Sequence, residues 1–348
     1  MRNFVRRVSL VTIVLWGVAA LVLGGMILGS VLTLAEGRFS ADQWRSVFIN
    51  GIALGSVYAL IALGYTLVYG ILFMINFAHG EVFMAGAFTA YFAADALNDA
   101  GLIESNPIPS LLIIFMVAMV VSMVTAILLE RIAYRRLRNA PRLVPLITAI
   151  GASLFLQYAF RGLYGSGVRS YPSVPLLDGS VTILGVPIRI VQLVVILSAV
   201  ALMLGLWYLI DRTRTGRAMR AVSEDRETAA LMGINVDATI VRTFAIGGAL
   251  AGAAGVLYAL LFSQVFFLMG FLPGIKAFTA AVLGGIGNIF GAMLGGLTLG
   301  VLEQVGPNLF LSGFGVPGAN QLRDAIAFTV LVVVLIIRPS GILGRPER

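Results

Sequence analysis

The amino-acid sequence predicts an all-α polytopic membrane protein, with about nine or ten transmembrane or re-entrant helical segments. Three observations carry that expectation. Of 348 residues, 59% are hydrophobic and only 11% are charged. This is less than half the roughly 25% charge of an average soluble chain, so there is too little polar surface to face water on every side. The apolar residues fall in uncharged runs of the ~20 residues that a ~30 Å hydrocarbon core demands. Those runs are continuous, whereas a membrane β-barrel needs ~10-residue segments of alternating polarity. Composition excludes other classes as well. With no cysteine, the chain holds no disulfide framework, thiolate nucleophile or cysteine-bound metal. A single histidine, His79, rules out a histidine-rich metal cluster. Glycine, at 40 residues, exceeds the usual ~7%, as expected where small residues let helices approach closely in lipid.

The first run, 8–35, stands behind Arg2, Arg6 and Arg7. Its charged start resembles a signal peptide, and Thr33 and Ala35 resemble a weak cleavage site. The apolar stretch nevertheless exceeds the roughly 7–15 residues of a signal-peptide core. It reads as a retained signal-anchor helix, so 1–40 is an addition to a main membrane body of 41–348. Further runs cover 47–72, 81–97, 110–129, 143–164, 190–210, 240–267, 277–302 and 325–337.

Basic residues concentrate on the cytoplasmic side of membrane proteins, and one threading satisfies that rule. The N-terminus, the blocks 131–142 and 211–242, and the tail from Arg338 lie inside. Only Arg38, Arg45, Arg161, Arg169, Arg189, Lys276 and Arg323 are left outside. Both termini are then cytoplasmic, and the net charge of +8 reflects topology rather than nucleic-acid binding. Parity requires the 277–302 run to leave the membrane on the side it entered. Gly284-Gly285-Ile286-Gly287-Asn288 supplies turn residues in its middle, which predicts two short segments, or a re-entrant pair, meeting there. Non-helical backbone at depth is tolerated only when buried in protein or lining a cavity. A second interruption is read over Gly64-Tyr65-Thr66-Leu67-Val68-Tyr69-Gly70 and Asn76-Phe77-Ala78-His79-Gly80-Glu81. Paired broken segments in two halves point to a transporter's binding site. Asn76, His79, Glu81, Gly284, Gly285, Gly287 and Asn288 are therefore the candidates for the translocation path.

Each candidate also has a plainer reading. Glu81 opens an apolar helix, where the dipole favours a carboxylate, or else it forms a polar lining or gate. His79 reads as a structural hydrogen-bonding group sooner than as a proton relay. Lys276 and Glu303 read as membrane-edge charges that snorkel outward. The pairs Gly248/Gly252, Ala251/Gly255, Gly291/Gly295 and Gly296/Gly300 predict tight helix contacts. The 165–189 loop, with Pro172, Pro175 and Pro187, is too small for a ligand-binding domain. The 211–242 loop is the most informative: 216–232 can form a helix with Met219, Val222, Ala229 and Ala230 on one side, stopped at Gly233. Such a helix either lies on anionic lipid or docks a cytosolic partner. No phosphate loop exists, because the single lysine sits in Gly274-Ile275-Lys276-Ala277 and a Walker sequence needs Gly-Lys-Ser/Thr. No Ser/His/Asp elbow or paired-carboxylate site emerges either.

Several longer motifs are specific. They are Asn50-Gly51-Ile52-Ala53-Leu54-Gly55-Ser56-Val57-Tyr58-Ala59-Leu60, Gly64-Tyr65-Thr66 and Met74-Ile75-Asn76-Phe77-Ala78-His79-Gly80-Glu81. Further along come Glu130-Arg131-Ile132-Ala133-Tyr134-Arg135, Lys276-Ala277-Phe278-Thr279-Ala280-Ala281-Val282-Leu283-Gly284-Gly285-Ile286-Gly287 and Gly341-Ile342-Leu343-Gly344-Arg345-Pro346. From about residue 46 to the end, the chain resembles the branched-chain amino-acid permeases of ABC importers.

The resemblance implies one membrane subunit of a multi-part importer in a bacterial inner membrane. Its partners would be a second homologous permease, two cytosolic ABC ATPase subunits and a periplasmic solute-binding protein. ATP and magnesium then belong to the ATPase subunits and no cofactor to this chain, which accounts for the missing Walker motif and ligand domain. The stretch 217–234 matches the position of the family's coupling helix, with Glu227, Ala229, Ala230 and Gly233 resembling its signature. Gly216, Arg217, Arg220 and Glu224 are expected to share that contact, which favours docking over lipid for this loop. The helix before residue 40 departs from the compact members. Related permeases also serve urea, short amides and other amino acids. The expected function is inward movement of leucine, isoleucine and valine by alternating access, driven by ATPase subunits through the 217–233 helix. An ion-coupled carrier and a non-transporting scaffold are the rivals. Scarce intramembrane charge counts against the first, and the broken segments count against the second.

Overall fold

In lipid a backbone must satisfy its own hydrogen bonds, so each apolar run becomes helix. The computed structural model describes residues 10–138, 140–141, 143–183 and 185–344. Arg2, Arg6, Arg7, Arg142, Arg345, Pro346 and Arg348, used above in the charge threading and the last motif, lie outside the described residues. The helices are α1 (Leu10–Ala35), α2 (Ala41–Leu72), α3 (His79–Asp99), α4 (Leu102–Ser105), α5 (Pro107–Leu129), α6 (Leu143–Tyr164) and α7 (Ile190–Arg212). They continue with α8 (Arg214–Glu224), α9 (Arg226–Leu231), α10 (Val236–Phe262), α11 (Phe271–Gly284), α12 (Ile289–Gly306) and α13 (Arg323–Ile337). Among the described residues, eight segments are long and apolar enough to cross a membrane, built on α1, α2, α5, α6, α7, α10, α12 and α13. With the shorter or more polar α3 and α11, the helical bundle expected from the sequence is complete. Strand is confined to two small antiparallel pairs, one joining Arg169–Ser170 to Gln264–Val265 and one joining Ser180–Ile183 to Val186–Arg189.

Helices α2 and α10 form the centre. α12 lies along α2, while α5 packs on both α10 and α3. Small residues at four-residue spacing make these approaches possible, as the sequence predicts. A Cβ on Gly255 would sit 2.7 Å from the Phe83 carbonyl oxygen of α3, and one on Gly51 would sit 2.7 Å from the Val301 Cα of α12. Helix α1 stands at the edge, apolar on all sides and mostly exposed, as a lipid-facing helix is. Two polar contacts tie its end to the turn after α12. The Gly313 N–H donates to Thr33 Oγ1 at 2.7 Å, and Arg38 Nη1 donates to the Ser312 carbonyl at 2.6 Å.

Several expectations need correction. Gly64 and Gly70 do not interrupt α2, which runs on to Leu72; the break is 73–78. Gly64 instead leaves room for the His79 ring, which lies against it. The 277–302 run does split at 285–288, but only its first arm is short: α11 starts at Phe271, and the second arm continues past Gly306 to form a full crossing. The 216–232 helix is two helices, because Asp225 leaves helical geometry and caps α9 with its carboxylate, accepting from the Glu227 and Thr228 N–H groups at 2.8 and 3.1 Å. Lys276 and Glu303 do not snorkel. Both are buried and paired at 2.9 Å.

Candidate functional site

The first break forms because α2 stops in a left-handed residue. Phe73, at φ 53°, donates its N–H to the Tyr69 carbonyl and turns the chain back toward the bundle. The segment 73–78 then re-enters, and α3 begins at His79, level with Gly64 on α2. The start of α11 meets the start of α3 backbone to backbone: a Cβ on Gly80 would lie 3.0 Å from the Gly274 Cα. Two helices therefore begin inside the protein with their N-termini adjacent. This is the discontinuous-helix arrangement that transporters use at depth.

The structure separates the three candidates of the first break. Asn76 is buried, accepts a 2.6 Å hydrogen bond from the Tyr134 hydroxyl, and lines a narrow cleft. Tyr65, Tyr69, Met74 and Phe278 form the aromatic and apolar walls of that cleft, and Ile286 of the second break closes it. His79 sits behind this wall, its ring edge-on to Tyr65 with centroids 4.9 Å apart. Its Nε2 has no hydrogen-bond partner among the described residues. Glu81 turns toward α6, where Gln157 Nε2 donates to Oε1 at 2.7 Å and Ser153 Oγ donates at 3.3 Å. The other carboxylate oxygen is buried without a described partner.

At the second break, Gly284 packs on Gly291, and Gly285, at φ 104°, lies against the backbone of Leu343 and Gly344. Asn288 accepts from the Gly291 N–H and donates to the Leu343 carbonyl at 3.0 Å, so the C-terminal tail holds the turn. Gly287, at φ 91°, is open around its α-carbon. The two breaks thus share one cleft through Asn76 and Ile286, and Asn76 is the one candidate among the described residues that lines it.

A buried polar cluster holds α11 in place. Lys276 Nζ lies 2.9 Å from Glu303 of α12 and 2.7 Å from Asp324 of α13, and the Tyr58 hydroxyl of α2 donates to the second Glu303 oxygen at 3.0 Å. Desolvating a lysine and a glutamate costs several kcal/mol per ion, which the pairing and the tyrosine hydrogen bond offset.

At the end of the bundle that carries 211–242, α8 and α9 form a charged layer. Gly216 and Ala229 are buried against the bundle, whereas Arg217, Glu224, Glu227 and Ala230 are exposed. Gly233, at φ 82°, ends α9 as a C-terminal stop. Arg220 donates to the carbonyls of Ile210 and Asp211, capping α7. Sequence reasoning missed Arg226, whose Nη2 donates to the Ile71 carbonyl of α2 at 2.7 Å. Arginines at helix C-termini satisfy orphan carbonyls and meet the negative dipole end. It also missed the exposed apolar pair Leu231 and Met232, 87% and 78% exposed, and the web in which Arg138 pairs with buried Glu130 and with Asp237. Their only advance signal was charge or apolarity out of place in a polar loop. The Thr228 hydroxyl and N–H hold the Asp225 carboxyl below the ordinary carboxylate range.

An apolar bundle with two helices starting inside it, a cleft between their turns and a charged layer clamped to one end is an arrangement found in membrane transporters. The sequence family described as branched-chain amino acid transport system / permease component matches residues 47–335. The chain is 46% identical over 302 residues to the high-affinity branched-chain amino acid transport system permease protein BraD of Pseudomonas aeruginosa, a match covering 86% of this chain and 95% of BraD. It is 43% identical over 305 residues to LivH of Escherichia coli K12, covering 86% and 94% respectively. This chain belongs to that family of permease components.

Proposed function

We propose that this chain is the membrane-spanning subunit of an ATP-driven importer in a bacterial inner membrane, carrying leucine, isoleucine and valine inward. The α8–α9 face and both termini are cytoplasmic in this reading. A second homologous permease, two ATPase subunits holding ATP and magnesium, and a periplasmic solute-binding protein complete the assembly. The family and the named relatives support the substrate class. The observation that carries the coupling is the pair of arginine clamps: Arg220 ties α8 to the end of α7, and Arg226 ties α9 to the end of α2, two residues before the turn that leads to Asn76. A movement of the α8–α9 layer by an ATPase is thereby delivered to the first break. Exposed Leu231 and Met232 suit burial under such a partner, since exposed apolar side chains on a polar layer gain by being covered.

The test is purification of the C-terminally tagged chain under gentle solubilisation, identification of co-purifying proteins, and ATP-dependent leucine uptake after reconstitution. A second permease, Walker-containing subunits and uptake competed by valine but not by urea are the expected result. A chain that is stable and transport-competent alone overturns the reading in favour of an ion-coupled carrier.

A further inference from the structure

The end of the bundle away from α8 and α9 carries a cleft that neither break accounts for. Its volume is about 220 Å³. α7 fixes its position: Arg189 precedes one end, Ile210 under Arg220 lies at the other, and the helix is 23 residues long. At 1.5 Å per residue that is about 35 Å, a membrane's thickness, so the cleft opens on the face opposite the coupling layer.

Its chemistry is two-sided. Arg189 and Arg323 stand on its rim, and neither guanidinium is in an ion pair with a described carboxylate. The acid next to Arg323, Asp324, is instead drawn inward to Lys276 at 2.7 Å. Gln304 adds an amide, and Gln192 is held against Asn50. Apolar side chains complete the lining: Leu54 is buried, Leu261 half-buried and Phe262 exposed. Guanidinium forks match carboxylates in geometry and charge, and an apolar lining takes a branched aliphatic chain. An α-amino acid with a branched aliphatic side chain carries both halves at this size.

We propose that this cleft is the outer landing site for the amino acid: Arg189 and Arg323 take the α-carboxylate, the Gln304 amide oxygen takes the ammonium, and Leu54, Leu261 and Phe262 take the side chain. The inference rests on the importer reading and deepens it. It also supplies a physical reason to reject urea and short amides, which lack both the carboxylate and the branched chain.

The test uses the permease with its partner subunits in nanodiscs, and photo-leucine as the probe, with adducts mapped by mass spectrometry. Adducts on 261–262 or Leu54 are expected. They are competed by leucine and not by isoamylamine, which keeps the side chain and ammonium but lacks the carboxylate. Arg189→Gln with Arg323→Gln reduces labelling on the order of tenfold, the loss of charge-assisted hydrogen bonds, while Arg189→Lys with Arg323→Lys retains part of it. Unchanged melting and subunit content show that the variants fold. Equal competition by isoamylamine, labelling unchanged in the glutamine pair, or labelling abolished by adding phosphatidylglycerol to the disc overturns the proposal. So does weakened docking of the binding protein with cleft labelling intact, which would make the arginines a protein contact. Wild-type complex without ATP-driven leucine uptake would remove the importer reading, whereas uptake with no adduct in the cleft removes the landing site alone.

Discussion

Lys276 shows how much a single side chain governs when lipid surrounds the protein. Its ammonium holds Glu303 and Asp324 together, and breaking a buried pair leaves an uncompensated charge. Lys276→Met is expected to destabilise the chain by about 3–5 kcal/mol, read as a fall in melting temperature in detergent. Adding Glu303→Gln should restore much of it, because the buried orphaned charge is gone and the remaining carboxylate, Asp324, is 40% exposed. Arg226 acts differently. It lies outside the bundle core, so Arg226→Gln should leave assembly and ATP hydrolysis in place. Leucine uptake is then expected to fall on the order of tenfold, within the usual span of a coupling free energy. Parallel loss of hydrolysis and uptake would make it a plain structural contact.

At the scale of elements, the close approach of α2 and α12 depends on having no side chain at Gly55 and Gly300. A methyl group on Gly300 would land on the Gly55 backbone, so Gly300→Ala is expected to cost about 1–3 kcal/mol by overpacking, measured as a lower melting temperature. The joint between α8 and α9 depends on Asp225. Asp225→Ala removes the cap, and faster amide hydrogen exchange over 226–231 is the expected outcome. Because hydrogen bonds from Thr228 depress the Asp225 pKa in the fold, the cap's contribution is complete above the ordinary carboxylate pKa. It is lost as pH falls through the lowered folded value. Protection over 226–231, corrected for the intrinsic pH dependence of exchange, should therefore be constant near neutrality and fall with acidification through the lowered Asp225 pKa, a fall that Asp225→Ala abolishes.

For the whole molecule, the absence of cysteine makes orientation directly measurable. In the proposed topology, a membrane-impermeant maleimide added to right-side-out cells modifies Ser105→Cys, at the end of α4, and spares Asp211→Cys, in the last turn of α7. The reverse pattern would invert the topology. The bundle was legible in the sequence because an apolar run about twenty residues long has one stable conformation in lipid. Glycines four apart announced close packing, and the turn residues at 285–288 announced a second break. The first break was misplaced by several residues, since Gly64 signals either a kink or a close neighbour and only the His79 ring opposite it decides which. The α8–α9 layer was legible as a helical loop position, while the Arg226 contact was not, because its partner is a backbone carbonyl 155 residues away.

The sequence by itself determined the helical membrane class and the permease family, because hydrophobic length and local motifs act along the chain. The tertiary structure decided that Asn76, of the candidates, lines the cleft between the breaks, that Lys276 is buried rather than snorkelled, and that α9 is fastened to α2. Those outcomes depend on which helix faces which: a charge in lipid must find a partner wherever the fold brings one, and that partner is rarely near in sequence.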